Sequence, residues 1–600
     1  MQDDRAGAGV DAAMLGRLLK DWWRRLAGRA GSAGEALALY REGVALGEAN
    51  RNAEAAERYR RALGIDPGLA EAYNNLGRIH EMNARNEEAA ECYRRAIVCK
   101  PELPHPYINL GNMLMRNYDL DGAYRNYEAA LKHDPAMWVA HNNRANILLH
   151  RGEHAAARAA FSAAIALSPD DPVAASNKLN CDVEALAAKP REQFQEYLEW
   201  GRRFAEPLLP ASLRHANASG ANRRLRLGYV SPDFRKHAMG YFIEPMLEHC
   251  DAAAFEVVCY NNFAQADSMT ARFKSLAHQW RDVAELADQE LAQLIVDDGI
   301  DLLVDLAGHS SDNRLLVFAR KPAPVQFTYL GYPNTTGVRA IDYRITDAYA
   351  DPPGLTEAYY VERLLRLPHC MWCYRAPDYA PDVGPLPAVA NGFITFGSFN
   401  SFMKVTDGVI DAWARLLALV PGSRLLMATV AEGAAQARAR DTFAARGIGA
   451  DRLQLVPRMM ADAYFELRNR VDIALDPFPV NGGTTTCDTL WMGVPTVTLA
   501  GSVFVARAGV SLLTNLGLPE LVAADLDGYI DIAAGLAADL PRLQALRAGL
   551  RERMRASPLC DAPRFVRNLE RLYRDAWIAW CGGNIAGVAA PSPALPLEAP

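Results

Sequence analysis

The stretch "VDIALDPFPVNGGTTTCDTLWMGVPTVTLAGS", residues 471–502, decides how the larger part of this chain folds. It opens on a short apolar run, VDIAL, rich in residues that suit a pleated strand. Pro477 and Pro479 close that run, and Gly482 and Gly483 then meet Thr484, Thr485 and Thr486. The segment "TTCDTLWMG" reads as a short helix, and a second β-branched run, PTVTL, follows it. Strand, turn, helix and strand in that order form a crossover unit, and such units build parallel sheets with helices on their faces. The turn also carries chemistry. A helix N-terminus offers free N–H groups and the positive end of its dipole. Glycine lets the backbone come close, and threonine hydroxyls add donors. A phosphate or diphosphate is the favoured ligand, although a plain N-cap uses the same residue types. The Walker lysine pattern is absent, and no GxGxxG follows the first strand, so neither an NTPase nor a dinucleotide site is expected.

The same alternation extends in both directions. An earlier series from residue 225 contains "RLRLGYVS", "FEVVCYNN", "IDLLVDLAGH", "PVQFTYLGYP" and "DYRITD". A later one from 392 contains "GFITFGSFN", "SRLLMATV", "DRLQLVPR", "VDIALDPFP" and "PTVTLAGS", and a Pro-rich stretch over 374–392 joins the two. Two consecutive α/β units predict an N-terminal lobe over 225–385 and a C-terminal lobe over 386–582, with a cleft between them. Ligands of such sheets bind beyond the carboxyl ends of the strands. Here those ends read "SPDFRKHAMG", "AGHSSDN", "GSFNSFMK" and "DPFPVNGGTTTCD".

Before residue 225 the pattern is different. Pro67, Pro101, Pro135 and Pro169 stand 34 residues apart, as do Tyr59, Tyr93, Tyr127 and Phe161. Ala62, Ala96, Ala130 and Ala164 keep the step, and so do Gly43, Gly77, Gly111 and, in the fourth copy, Ala145. This is the tetratricopeptide period: two helices per repeat, small residues where helices cross, proline after the second. Four repeats over 34–169 stack into a superhelix with a concave face. Asn74, Asn75, Asn109, Asn112, Asn142, Asn143 and Asn146 are the candidate lining of a groove for an extended polypeptide, since an amide both donates to and accepts from a backbone. A scaffold without a ligand is the competing reading, and dimer formation through the convex face stays open. Residues 170–224 read as a helical bridge ("PREQFQEYLEWGRRFAEPLLP", 190–210) and a polar linker. Residues 1–33 read as a helical or flexible N-terminal segment and 583–600 as a disordered tail.

Length and composition agree with a multidomain protein. The 600 residues suggest about three or four domains. A net charge of −7 argues against nucleic acid or an anionic membrane as the main partner. The ten cysteines follow no regular frame, which suits reduced thiols in a cytoplasmic protein. Cys370 and Cys373, in "CMWC", lack the second pair that a metal site would need. The N-terminus starts acidic with no apolar core, so a secretory signal is not expected, and no apolar run is long enough to span a membrane.

The repeats together with "LGYVSPDFRKHAMGYFIEP", "AGHSSDNRLLVFARKPAPVQFTYLGYPNTTG", "IDYRITDAYADPP", "FGSFNSFMKVTDGVIDAWARLL", "LDPFPVNGGTTTCDTLWMGVPTVTLAGS" and "GVSLLTNLGL" resemble the O-GlcNAc transferase/SPINDLY family over roughly residues 35 to 580. The resemblance implies an α-helical tetratricopeptide superhelix followed by an α/β glycosyltransferase of the GT-B type, with two Rossmann-like lobes. It implies inverting, metal-independent transfer of a sugar to Ser or Thr hydroxyls of proteins. No cofactor is implied beyond the co-substrate nucleotide sugar.

Residue by residue, the resemblance makes Lys404 the lysine that meets the nucleotide diphosphate, and Thr484 and Thr485 the phosphate-binding pair. Asp488 matches the carboxylate that holds the ribose, and His237 the N-lobe histidine beside the acceptor. A histidine there suits a general base because its ordinary pKa is near neutrality. His309 is expected to face the same cleft on the acceptor side. Three positions depart from the O-GlcNAc branch. Gly483 stands where a histidine packs on uracil, Ser401 replaces a glutamine, and Tyr464 replaces a second uracil-side histidine. "AGHSSDN", "GYPNTTG" and "TLAGSVF" are closer to the plant SPINDLY branch, which uses GDP-fucose. UDP-GlcNAc is the expected donor and GDP-fucose the alternative. A peptide-binding scaffold with inactive lobes is the reading from another class. The joint presence of Lys404, the threonine pair and Asp488 favours the enzyme.

Overall fold

The computed structural model describes residues 33–181, 189–212 and 214–583. The expected N-terminal segment and C-terminal tail therefore lie outside the described residues, apart from Gly583 and residue 33. The chain divides into two compact units, Met1–Ile147 and Leu148–Pro600.

The first unit is helical. Helices Asn52–Ile65, Asn86–Cys99 and Leu120–His133 each end two residues before the periodic proline, with Asp66, Lys100 and Asp134 as the capping residues between. Proline cannot donate to the preceding turn, and it disfavours helical geometry in the residue before it. The periodic glycines and tyrosines form one device. A Cβ at Gly43, Gly77 or Gly111 would fall 2.6, 2.7 or 2.6 Å from the ring of Tyr59, Tyr93 or Tyr127, so hydrogen at that position is what lets each buried ring seat. Gly111→Ala is expected to destabilise the array by about 1–3 kcal/mol through overpacking, more than the ~1 kcal/mol that alanine adds in helix propensity. Denaturant unfolding measures it, and an unchanged midpoint would show that Tyr127 has room to move.

The second unit begins with residues of the fourth repeat. Its helix His154–Leu167 is preceded by Gly152 at φ +75°, where a Cβ would sit 3.3 Å from the ring of Phe402 in the C-terminal lobe. The bridge is more than a connector. After helix Pro190–Trp200 it widens into a π turn, Gly201–Ala205, and then tightens into a 3₁₀ turn, Glu206–Leu208. Tyr197, Trp200 and Ala205 share a core with Val230, Val258 and Ile300 of the N-terminal lobe.

That lobe is a seven-stranded sheet: β1 Leu225–Ser231, β2 Phe255–Asn261, β3 Gln279–Asp282, β4 Leu302–Asp305, β5 Val325–Thr328, β6 Tyr343–Asp347 and β7 Arg363–Leu367. The order is β3-β2-β1-β4-β5-β6-β7, parallel throughout. The C-terminal lobe has β8 Thr395–Ser398, β9 Arg424–Met427, β10 Leu453–Leu455, β11 Ile473–Leu475, β12 Thr496–Leu499 and β13 Val522–Ala523 in the order β10-β9-β8-β11-β12-β13, again parallel. Strand order reverses beside β1 in one sheet and beside β8 in the other, which puts the crevices next to "SPDFRKHAMG" and "GSFNSFMK". The edge strands β3 and β7 carry Arg281, Arg363 and Arg366 in place of an apolar run. Charge on an edge blocks pairing with other chains and hides the strand from pattern reading.

Helix Ala562–Cys581 belongs to the C-terminal end of the sequence but packs on the N-terminal lobe. Tyr573 lies against Phe255 and Phe327, Trp577 Nε1 donates to Gly220 O at 3.0 Å, and Tyr374 N–H donates to Leu559 O at 2.8 Å. These contacts bind the two lobes together.

Candidate functional site

At the C-terminal lobe's switch point, β8 runs into Phe399, Asn400 and Ser401, then into a 3₁₀ turn, Phe402–Lys404. Neighbouring β11 runs through Asp476 into the Gly–Thr turn and helix Thr484–Trp491. The fold thus brings two loops, some eighty residues apart in sequence, side by side. Lys404 Nζ donates to Asn481 O at 2.8 Å, and Thr485 Oγ1 donates to Asn400 Oδ1 at 3.0 Å. Gly482 is needed here for space: a Cβ would meet the hydroxyls of Thr486 and Thr485 at 2.5 and 2.6 Å. Nothing lies within 4 Å of a Cβ placed on Gly483, so that side of the turn is open. Ser401 sits at the start of the Lys404 turn, where its carbonyl accepts from Lys404 N–H at 2.9 Å.

Asp476 holds the turn from below. Its carboxylate accepts from Gly482 N–H at 2.7 Å and from Thr498 Oγ1 at 2.8 Å. Burial pushes its pKa up to about 7, opposed by these donors and by the Lys404 charge. Burial lowers the pKa of Lys404, and the Asp476 charge opposes that shift. The two groups act on each other through charge across the turn, without a direct ion pair, since Lys404 Nζ is engaged by the Asn481 carbonyl. "LDPFP" offered a strand-end carboxylate as the one sequence signal for Asp476.

Asp488 is buried one turn into the helix. Tyr374 OH donates to its Oδ1 at 2.7 Å, and Arg468 Nη2 lies 3.5 Å from its Oδ2. Burial raises the Asp488 pKa, against the pull of Arg468 and Tyr374. Arg468 is fully buried beneath the rings of Phe399, Tyr464 and Phe465 at 4.6, 4.4 and 4.8 Å, and donates to Tyr464 O at 2.7 Å. Tyr464 OH donates to Phe399 O, which pins its ring at the end of β8. No motif in "ELRNRV" pointed to Arg468, nor any in "CMWCYR" to Tyr374.

The N-terminal lobe supplies the facing wall. His237 lies in the loop after β1, with Nδ1 3.2 Å from Asp233 Oδ1 and 3.4 Å from Met239 N. Burial lowers its pKa, and Asp233 opposes the shift. A neutral imidazole oriented by a carboxylate is suited to accept a proton. Four residues on, Tyr241 OH meets Tyr379 OH at 2.7 Å; burial raises the pKa of both hydroxyls and the Asp488 charge adds to it, while their mutual hydrogen bond raises Tyr379 and lowers Tyr241. Tyr379 also packs edge-on against Phe465. Through these contacts the His237 loop stands next to the Asp488 side of the C-terminal lobe.

His309 is elsewhere than expected. It is enclosed by Tyr197, Trp200 and Tyr332, with ring centroids 5.5, 4.6 and 5.3 Å away. Its Nδ1 lies 3.1 Å from Ser176 Oγ and its Nε2 2.8 Å from Thr336 O. Burial pushes its pKa down to about 4, so it is neutral and ties the bridge to the lobe. It is not open to an acceptor.

The asparagines of the array also differ in part from the expectation. Asn74 and Asn142 are buried. Asn109 Nδ2 donates to Asn74 Oδ1 at 2.9 Å and Asn143 Nδ2 to Asn112 Oδ1 at 2.8 Å, which links successive repeats. Tyr127 OH donates to Asn112, Asn75 Nδ2 to Tyr59 OH and Asn146 Nδ2 to the Asn142 carbonyl. Inter-repeat packing occupies much of the amide capacity that a peptide would use. Cys370 and Cys373 are buried free thiols. Among the described residues no cluster of three or more His, Cys, Asp or Glu is disposed around a metal site, and no helix is long and apolar enough to cross a membrane.

Comparison with known proteins adds to this geometry. The profile of Glycosyl transferase family 41 matches residues 209–375 and 386–569, and that of the tetratricopeptide repeat matches 40–104 and 108–172. A rice (Oryza sativa subsp. japonica) protein named probable UDP-N-acetylglucosamine–peptide N-acetylglucosaminyltransferase SPINDLY is 44% identical over 398 residues, 65% of this chain and 43% of its own length. The Arabidopsis thaliana SEC protein, with the same enzyme name, is 33% identical over 377 residues, 61% of this chain and 38% of its own. The chain thus spans less than half the length of these relatives. A solved structure described as a mutant O-GlcNAc transferase of Thermobaculum terrenum, with one lysine changed to methionine, superposes with a TM-score of 0.81 at 36% identity, over 86% of this chain and 99% of that one. A tetratricopeptide array, two parallel-sheet lobes and profile matches along both lobes make this chain a member of glycosyl transferase family 41.

Proposed function

We propose that this protein transfers N-acetylglucosamine from UDP-GlcNAc to Ser and Thr hydroxyls of proteins, with inversion at the anomeric carbon. The observation that carries the reading is the hydrogen bond of Lys404 to the Asn481 carbonyl, in the turn that leads into helix Thr484–Trp491 at the C-terminal lobe's switch point. In the reaction the acceptor oxygen forms a bond to the anomeric carbon as the bond from that carbon to the diphosphate breaks. The electron pair of the broken bond leaves with the diphosphate, so negative charge grows there. Lys404, the helix N–H groups and the hydroxyls of Thr484 and Thr485 stand where that charge develops, and preorganised donors of this kind act mainly on the transition state. Asp488, held by Tyr374 and Arg468, is the acceptor for the ribose hydroxyls. His237, with Asp233 behind it, is the group proposed to take the acceptor proton. The tetratricopeptide array supports a polypeptide acceptor, and the names of the relatives support the sugar.

One observation favours GDP-fucose as a second reading: nothing lies within 4 Å of a Cβ placed on Gly483, so no side chain covers the side of the turn where a base larger than uracil would have to fit. Calorimetric titration with UDP and with GDP separates the two. UDP is expected to bind more tightly, by about 5- to 150-fold, because a misfitted base leaves buried polar groups unpaired at about 1–3 kcal/mol. Tighter GDP binding, followed by fucose transfer to a Ser/Thr peptide, would replace UDP-GlcNAc as donor. Absence of transfer from every common nucleotide sugar by a folded chain would point to a peptide-binding scaffold.

A further inference from the structure

A cavity of about 750 Å³ lies at the amino ends of β1, β4 and β5, the opposite end of that sheet from the His237 loop. The bridge and linker form one wall and helix Asp288–Asp297 the other. Six cationic side chains line it, Arg214, Arg223, Arg224, Arg226, Arg320 and Lys321, against two carboxylates, Glu256 and Asp301. Both carboxylates are already occupied. Asp301 accepts from Arg223, from Asn217 at 2.8 Å and from Arg226 N–H at 2.8 Å, while Glu256 accepts from Gln279 at 2.7 Å. Lys321 is balanced by Asp342 outside the cavity. Arg214 is exposed and Arg320 half-buried, and neither has a carboxylate within ion-pair distance among the described residues. The cations therefore outnumber the acids in a chain whose net charge is −7. Leu208, Ala292 and Ile300 add an apolar wall beside them.

A guanidinium presents a planar fork that matches phosphate oxygens, and a concave basic site concentrates the field on a small anion. The apolar wall suits an organic body attached to that anion. We propose that this cavity binds a small organic phosphate. The site is separate from the donor crevice and does not depend on the transferase reading.

Phenyl phosphate, titrated calorimetrically into the full chain, tests it. The R214Q/R320Q double variant is expected to bind it at least about tenfold more weakly, the effect of losing one charge-assisted hydrogen bond, whereas Lys404→Ala retains this binding. Circular dichroism verifies that the variants fold, and Arg214→Gln alone, at an exposed position, carries the test if the double variant does not. No binding to the wild-type chain, equal affinity in the arginine variants, or loss only in Lys404→Ala would overturn the proposal. Inorganic phosphate is the second arm: weaker binding than phenyl phosphate is expected, and equal affinity would overturn the assignment to an organic phosphate.

Discussion

Replacing Lys404 by alanine is expected to lower sugar transfer by about 100-fold or more, the effect of removing one preorganised donor worth about 2.7–4 kcal/mol at a developing charge. The loss should fall mainly on kcat, because the diphosphate gains its extra charge only as the sugar departs. The fold should survive, since the side chain's hydrogen bond is to a single carbonyl, that of Asn481. Burial gives this lysine a lowered pKa and Asp476 opposes the shift. The cationic form is the active one, so turnover should fall on the alkaline side as the pH rises through that depressed pKa, earlier than an ordinary lysine would require. Steady-state kinetics across pH, with a thermal melt as the folding control, is the measurement. Near-normal turnover in the variant would show that the leaving group is stabilised by other residues.

Removing residues 1–133, the first three repeats, should cost at least about 100-fold in kcat/KM on protein acceptors, which corresponds to about 2.7 kcal/mol of lost acceptor binding. UDP affinity should stay within about threefold, because the proposed donor residues all belong to the second compact unit. The choice of end point follows from packing. Gly152 lies against Phe402, which shares the 3₁₀ turn with Lys404, so a deletion through residue 169 would strip support from the donor site itself. The shorter deletion keeps helices Trp138–His150 and His154–Leu167. Comparison of protein and free-nucleotide binding in the truncated chain decides it. Undiminished protein glycosylation would remove the array from acceptor recognition.

Several elements were legible in the residues alone because their signals are local. A 34-residue step in proline, glycine and tyrosine needs only the chain's own register to be seen, and the stacking of rings on glycines repeats it in space. Strands such as LLVD and IAL are short and wholly buried, so they read as apolar runs between turn residues. The Gly–Thr turn was legible for the same reason: its close packing depends on small residues adjacent in sequence.

What the sequence determined by itself was the period of the repeats, the two α/β lobes and the Gly–Thr turn between strand and helix, because helix ends, strand runs and close backbone approaches are set by neighbouring residues. The tertiary structure decided the rest. It put His309, which has the look of a cleft histidine, inside an aromatic enclosure with Tyr197 and Trp200 from a bridge more than a hundred residues earlier. It turned part of the asparagine series inward to join one repeat to the next. It gave Asp488 its partners, Tyr374 from the inter-lobe stretch and Arg468 from a helix end without a motif. Burial and charge pairing depend on groups remote in sequence that meet only when the sheets are packed, so no local pattern could have carried them.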